Sequence, residues 1–179
     1  GFAVFRFDFS GCGQSEGNYA NTSITTLKQD LKKMLDYITQ QSFINKDRIC
    51  IIAHSLGTTN TIVLEPKVSC MILTSSVSRP KQTLIDLFGQ GYNPTGISTR
   101  VNSGGNKTSV GPRFWADFDN YDALASIRNI HCPILFVSGG SDNRVPNSEM
   151  EHFFEAANQP KEKVILEGVH ARRGEEDGR

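Results

Sequence analysis

The sequence predicts an α/β fold with a mostly parallel sheet flanked by helices. Short apolar runs of strand length alternate with helical patterns, and most runs are bounded by Gly, Ser, Asp or Pro. The chain has 179 residues and is 37% hydrophobic, which is enough for a single domain with a sizeable core. Strands that alternate with helices along the chain favour a parallel sheet covered on both faces.

Five apolar runs have the length of strands. In chain order they cover residues 3–9, 49–53, 70–73, 134–138 and 163–166. Because the chain begins directly in the first run, we expect no signal peptide. No run approaches the roughly 20 residues of a membrane-spanning helix, so we expect no membrane partner.

The first predicted helix covers residues 24–38, with Thr22 or Ser23 as its N-cap. A helical period of 3.6 residues puts six apolar side chains on one face. These are Ile24, Leu27, Leu31, Met34, Leu35 and Ile38.

Two further helices are predicted after the second and fourth strands. One runs over residues 55–64 and ends before Pro66, because the residue before a proline disfavours helix. The other runs over residues 148–157, where Glu149 and Glu151 suit the positive N-terminal end of the helix.

Residues 76–118 are polar, rich in Gly, Ser, Thr and Asn, and too long for an ordinary connection. Within them, residues 97–102 and 107–110 flank a Ser-Gly-Gly-Asn turn and predict a small hairpin. We interpret the segment as a flap or lid inserted into the sheet domain, with a disordered linker as the alternative. Three aromatic residues supply apolar anchoring: Phe114, Trp115 and Phe118.

Charge and cysteine content argue against two kinds of function, nucleic-acid binding and zinc binding. Nineteen basic residues balance nineteen acidic ones, and this zero net charge argues against a nucleic-acid partner. The four cysteines are far apart in sequence and three lie in or beside apolar runs, which predicts buried, reduced thiols and a cytoplasmic location. We expect no zinc site, because no Cys and His residues cluster at ligand spacing.

A strand–Ser–helix turn carries the chemistry. The strand at 49–53 leads into Ala53-His54-Ser55-Leu56-Gly57 and then a helix, which is the pattern of a nucleophile elbow. Small residues two before and two after the serine suit a tight turn that lifts the hydroxyl clear of the sheet. The Leu56 N–H would then point at an oxyanion on Ser55-bound substrate.

A nucleophilic serine needs a histidine base. Among four histidines, His54 adjoins the serine on the turn, His131 lies at the opposite end of the sheet, and His152 lies in a helix. His170 follows the last predicted strand at its C-terminal end, where parallel sheets place their sites. We therefore predict His170 as the base.

The carboxylate partner is predicted by the same reasoning. Asp142 follows the strand at 134–138 through a Gly-Gly-Ser turn, again at a C-terminal strand end. Asp8, within a predicted strand, and Asp86, in the polar insertion, are weaker candidates. The alternative for Asp142 is a turn residue that caps its own backbone.

The chain resembles the α/β-hydrolase superfamily, especially small esterases, cinnamoyl-ester hydrolases and serine-aminopeptidase-like members. The matching stretches are residues 6–17, 51–57, 133–146 and 166–170, in the family's order. The resemblance implies an α/β-hydrolase fold over residues 1–179, with Ser55 as nucleophile, Asp142 as acid and His170 as base. It also implies that residues 76–118 form a cap over the acyl pocket.

We therefore expect a serine esterase that hydrolyses small carboxylic esters without metal or organic cofactor. A peptidase or acyltransferase with the same triad is the alternative within the enzymes. The family normally has further N-terminal strands, which carry a second oxyanion donor, and a final helix. We expect the chain to lack these parts, which leaves an inactive, hydrolase-like fragment as a further alternative. Unpaired sheet edges would favour a homo-oligomer.

Overall fold

A four-stranded parallel sheet lies at the centre of the computed structural model, which describes residues 1–102 and 104–168. Its strand order is β1-β2-β5-β6. A separate antiparallel hairpin, β3–β4, lies between β2 and β5 in the chain. The strand bounds are β1 Cys50–His54, β2 Cys70–Thr74, β3 Ser98–Val101, β4 Lys107–Val110, β5 Ile134–Gly139 and β6 Lys161–Leu166. Four predicted strands and the predicted hairpin are thereby confirmed.

The α-helices of the described residues connect these strands. Their bounds are α1 Ile24–Thr39, α2 Leu56–Leu64, α3 Pro80–Phe88, α4 Pro112–Asp117, α5 Ala123–Ser126 and α6 Asn147–Ala156. The three predicted helices correspond to α1, α2 and α6. None of the helices in this part of the chain combines the length and hydrophobicity needed to cross a membrane.

Helix α1 begins where the sequence offers a capping pair. The Ser23 hydroxyl accepts the Thr26 N–H at 3.2 Å, and the Thr26 hydroxyl accepts the Ser23 N–H at 2.8 Å. Two of the N–H groups that a helix start leaves unpaired are thus satisfied. Of the two predicted caps, Ser23 is the one used.

One face of the sheet carries the core. Side chains alternate along each strand, so Met71 and Leu73 of β2 lie beside Ile134 and Phe136 of β5. All four are buried, and helix α2 packs against β1 while helix α6 packs against β5 and β6. Together they bury a continuous apolar cluster, the main source of stability for a domain of this size.

The expectation that helices cover both faces of the sheet is wrong for the described residues. Ile52 of β1 is 72% exposed, and Val164 and Leu166 of β6 are 42% and 44% exposed. Strand register puts these residues and Ile72 of β2 on the face opposite the core. The period-2 pattern of a strand predicts which residues share a face, whereas covering that face depends on distant segments.

The predicted strand at residues 3–9 is also wrong. These residues have no strand assignment, and Phe2 and Val4 are 98% and 83% exposed. Phe5 stacks on Phe43 with ring centroids 6.4 Å apart, so contact with the loop after α1 replaces sheet pairing. An apolar run forms a strand only beside a neighbour that pairs with its backbone, and the described residues provide none there.

The segment at 76–118 packs into the core through its aromatic residues. Trp115 of α4 is buried, and its ring lies edge-on to Phe88, Tyr92 and Phe114 at centroid distances of 4.8–5.2 Å. Its indole N–H donates to the Ser98 hydroxyl of β3 at 2.8 Å. One tryptophan therefore joins α3, the hairpin and α4.

Candidate active site

Ser55 lies between β1 and α2 in a strained conformation. Its φ is 53° and its ψ is −128°, and positive φ is rare for a residue other than glycine. The Ser55 N–H donates to the Thr74 carbonyl at 3.0 Å, which ties the turn to the end of β2. The structure therefore places Ser55 on a sharp strand-to-helix turn, as the sequence predicts.

Leu56 is the first residue of α2, where backbone N–H groups have no acceptor within the helix. No acceptor for the Leu56 N–H is found among residues 1–102 and 104–168. A tight turn predicts that a larger side chain at position 57 would clash with the neighbouring strand. That clash is not found, because a Cβ at Gly57 would have no atom within 4 Å. Strand β1 is an edge of the described sheet, so the clash with a neighbouring strand does not arise.

Asp142 follows β5 on a turn that it caps itself. Its Oδ1 accepts the N–H groups of Arg144 and Val145 at 2.9 and 3.0 Å. Its Oδ2 is buried and has no hydrogen-bond partner within the described part of the chain. The turn-capping alternative is therefore correct for Oδ1, while Oδ2 can still accept a hydrogen bond.

His170, the predicted base, lies outside the described residues. The strand before it is described: β6 pairs with β5 so that Leu166 lies beside Gly139. The Gly140 N–H donates to the Leu166 carbonyl at 2.9 Å. The end of β6 therefore lies against the turn that leads into Asp142, and His170 follows Leu166 by four residues in the sequence.

The other candidate residues have structural partners. His54 Nδ1 contacts the Thr74 hydroxyl at 2.9 Å on the exposed face of the sheet, and His152 Nδ1 contacts the Ser78 hydroxyl at 3.2 Å. Asp8 accepts the Gln14 N–H, and Asp86 accepts from Gln82 on its own helix. Asp8 is thus a loop residue, because the strand predicted around it does not form.

The segment after β2 is bonded to the helix that begins beside Ser55. Thr58 donates to the Ser55 carbonyl at 2.7 Å and accepts the Val77 N–H at 3.1 Å. Thr59 donates to the Val77 carbonyl at 2.6 Å. The start of the insertion is therefore attached to the nucleophile turn by two buried threonines that the sequence analysis did not single out.

Glu149 of α6 holds the next two residues of the same segment. Its Oε2 accepts the N–H groups of Ser78 and Arg79 and the Ser78 hydroxyl, at 2.7–2.9 Å. Its Oε1 accepts two guanidinium donors of Arg79 at 2.9 and 2.7 Å. Burial would raise the pKa of Glu149, but the hydrogen bonds and charge of Ser78 and Arg79 outweigh it and lower that pKa.

Sequence reasoning assigned Glu149 to the positive end of a helix and missed this role. One signal was present: Glu149 precedes Phe153 by four residues, so the two share a helix face, and Phe153 is buried. A carboxylate on an apolar helix face needs partners when it is buried. The sequence does not show which residues these partners are, because they lie about seventy positions away along the chain.

The far end of the insertion is bonded to α1. Asp117 of α4 accepts the Thr25 N–H at 2.7 Å and the Thr25 hydroxyl at 3.0 Å. Burial would raise the pKa of Asp117, but hydrogen bonds from Thr25, Asn120 and Ser23 lower it. The Gly111 N–H also donates to the Ala20 carbonyl at 2.8 Å. The insertion is thus held to the sheet domain at both ends.

Two clefts lie away from Ser55. One of about 580 Å³ is lined by residues before β2 and β5, including Lys67 and His131, at the amino end of the sheet. Another of about 310 Å³ lies beside α1 and is lined by Asp8, Asp30 and Lys33 among others. Neither cleft is lined by Ser55 or Asp142, so cavity size does not identify the predicted catalytic residues. The candidate site rests instead on the conformation of Ser55 and on Asp142 Oδ2, which has no hydrogen-bond partner among the described residues.

Known proteins are similar to this chain in sequence. The family model described as "Serine aminopeptidase, S33" matches residues 1–107. "Uncharacterized protein YfhR" of Salmonella typhimurium is 26% identical over 170 residues, which cover 93% of this chain and 54% of that protein. "Protein bem46" of Schizosaccharomyces pombe is 25% identical over 165 residues, covering 89% and 48%. The chain spans about half the length of these curated relatives.

Solved structures share the fold. Est1E from Butyrivibrio proteoclasticus with bound ferulic acid superposes with a TM-score of 0.71 at 16% identity, covering 91% of this chain and 66% of that one. An esterase domain from a Rhodothermus marinus protein superposes with a TM-score of 0.65 at 19% identity, covering 84% and 61%. These similarities establish the α/β-hydrolase fold, as the sequence resemblance implied.

Proposed function

Since this chain belongs to the serine aminopeptidase S33 family, we propose that it acts as a serine hydrolase on carboxylic esters. The observation that carries the proposal is the conformation of Ser55, whose φ of 53° at the junction of β1 and α2 is the geometry of a nucleophile elbow. Strained backbone of this kind costs free energy and persists mainly where function uses it.

In the proposed mechanism, the Ser55 hydroxyl attacks the acyl carbon while His170 takes its proton. Asp142 Oδ2 accepts the other ring N–H of His170, which holds the tautomer and stabilises the imidazolium. The Leu56 N–H donates to the oxyanion at the start of α2. His170 then activates water to release the acid, so the residues named here carry every step.

Two observations support these roles. The buried Asp142 Oδ2 has no partner among the described residues, although its Oδ1 already accepts two N–H groups. The end of β6, four residues before His170 in the sequence, is bonded to the Gly140 turn that leads into Asp142. This short separation in sequence favours His170 as the partner of Oδ2.

We further propose that residues 76–118 form one wall of the acyl pocket and so select the substrate. The segment begins after β2, and Val77 is bonded to both Thr58 and Thr59 of the helix that follows Ser55. The esterase neighbours, one of them with bound ferulic acid, favour a small ester as substrate.

Amide hydrolysis is the second candidate, and the family description favours it. An assay of short p-nitrophenyl esters beside aminoacyl p-nitroanilides separates the two. The ester proposal predicts turnover of the esters well above that of the anilides, with both rates abolished in Ser55→Ala. Greater turnover of the anilides would support the peptidase, and ester turnover retained in Ser55→Ala would refute the assignment of the nucleophile.

A further inference from the structure

Two cysteines that are twenty positions apart in the sequence meet in the sheet. Cys50 is the first residue of β1 and Cys70 the first residue of β2, and the two are register partners in parallel strands. Register partners in parallel strands project to the same face, so the two thiols lie side by side, and the Cys50 thiol donates to the Ile51 carbonyl at 3.8 Å. The expectation of buried thiols is wrong for Cys50, which is exposed because the described helices do not cover this face of the sheet.

The pair lies on the face of the sheet that the described helices leave uncovered. Cys50 is exposed and Cys70 half-buried, and both are free thiols. On the same face, Ile52 is the next outward residue along β1 and is also exposed. A small reagent in solution can therefore reach the Cys50 sulfur.

Strand geometry permits a bond between the two sulfurs. Neighbouring strands are about 4.8 Å apart, which lies within the Cα–Cα range of disulfides, about 4.4–6.8 Å. Parallel Cβ vectors keep the Cβ atoms about as far apart as the Cα atoms, beyond the disulfide mean of about 3.8 Å. The bond would thus be strained, and strained, exposed disulfides are the readily reduced ones.

We propose that Cys50 and Cys70 form a reversible redox site, in which a low-molecular-weight disulfide such as oxidised glutathione converts the dithiol to a β1–β2 cross-link. One cysteine thiolate attacks glutathione disulfide and forms a mixed disulfide, releasing one glutathione thiolate. The second cysteine thiolate then displaces the other glutathione. The two cysteines lose two electrons and two protons, and one glutathione disulfide becomes two glutathione thiols.

The cross-link would close the loop that contains Ser55 and the whole of α2. It would also secure β1, which has a strand partner on one side only in the described sheet. Burial, followed by the neighbouring Cys70 thiol, raises the pKa of Cys50 to about 11, so exchange is slow near neutral pH and faster in mild alkali.

The test is intact-mass and peptide analysis of the reduced chain after incubation with excess oxidised glutathione at about pH 8.5. The expected product has lost two hydrogens, retains two of its four thiols, and yields one peptide pair linked through Cys50 and Cys70. Cys132→Ser should form the same cross-link, whereas Cys50→Ser and Cys70→Ser should give glutathione adducts only. A wild-type product with adducts only, or with a link through Cys12 or Cys132, would overturn the proposal.

Reversibility is tested on the cross-linked product. A large excess of reduced glutathione should restore all four thiols in a chain that remains folded by circular dichroism. A cross-link that reduced glutathione leaves intact until the chain is denatured would contradict a reversible site. Both experiments are independent of catalysis, so they stand or fall separately from the proposed hydrolase activity.

Discussion

The hydroxyl of Thr58 donates to the main-chain carbonyl of Ser55 at 2.7 Å. The same hydroxyl accepts the Val77 N–H at 3.1 Å, so one buried side chain connects the Ser55 turn to the insertion. Ser78 and Arg79, the next residues, are held by Glu149. Hydrogen bonds thus run from the nucleophile turn to α6, the helix that follows the Asp142 turn.

Thr58→Val tests the first part of this connection. Valine matches threonine in shape, but it cannot donate to Ser55 or accept from Val77. Leaving a buried N–H without a partner costs about 1–3 kcal/mol, so we expect the free energy of unfolding to fall by that amount in urea titrations.

The matched control for this variant is Thr61→Val in the same helix. Within the described part of the chain, the Thr61 hydroxyl donates to the Gly57 carbonyl alone, one turn earlier, so we expect the free energy of unfolding to fall by less than about 1 kcal/mol. An equal fall in the free energy of unfolding in the two variants would contradict the role of Thr58 in connecting the Ser55 turn to the insertion.

Glu149→Gln tests the contact of Glu149 with Ser78 and Arg79 through the pH dependence of stability. The folded-state pKa of Glu149 is lowered, so its ionised form contributes stability above the unfolded pKa, near 4.5, and that contribution disappears as pH falls through the folded pKa. We therefore expect a melting temperature below wild type at pH 7, with the difference shrinking as the pH falls below about 4.5 toward the lowered folded-state pKa.

Glu151→Gln serves as the comparison for Glu149. Glu151 pairs with Lys163 at the surface, where an ion pair contributes about 0–1 kcal/mol. A pH-independent difference between Glu149→Gln and wild type would show that the carboxylate charge does not hold Ser78 and Arg79.

Trp115 should report on the attachment of the insertion. Trp115→Ala removes a buried ring that packs edge-on against three aromatic neighbours, and such truncations cost about 3–5 kcal/mol. Trp115→Phe keeps a ring but loses the hydrogen bond to Ser98, which is worth about 1 kcal/mol. Because Trp115 is the only tryptophan, circular dichroism is the measurement to use. A similar fall in the free energy of unfolding in both variants would contradict the packing of the Trp115 ring against its aromatic neighbours.

Asp142→Asn separates the two oxygens of Asp142. The asparagine oxygen can still accept from Arg144 and Val145, so the turn and the fold should persist. The amide nitrogen at the Oδ2 position cannot accept a hydrogen bond from the ring N–H of His170, and the wrong tautomer in such triads costs about 10⁴-fold in kcat. Esterase activity that survives with normal unfolding behaviour would exclude Asp142 as the acid.

Local patterns were enough to predict β1, α2 and the Ser55 turn, because small residues and hydrophobic periodicity act within a few positions. The Asp142 turn was readable for the same reason. The Glu149–Arg79 contact and the Cys50–Cys70 pair depend on how distant elements meet, which no local pattern encodes. The run at 3–9 has a strand pattern, but pairing requires a neighbouring strand as well as the pattern.

The most direct test of the central claim is covalent labelling of Ser55. A fluorophosphonate probe should modify the chain at one site, identified as Ser55 by peptide mass analysis, with no labelling of Ser55→Ala. Parallel labelling of a longer gene product would show whether the 179-residue chain reacts at the same rate. A folded chain that stays unlabelled in both forms, or that is labelled equally in Ser55→Ala, would contradict the account.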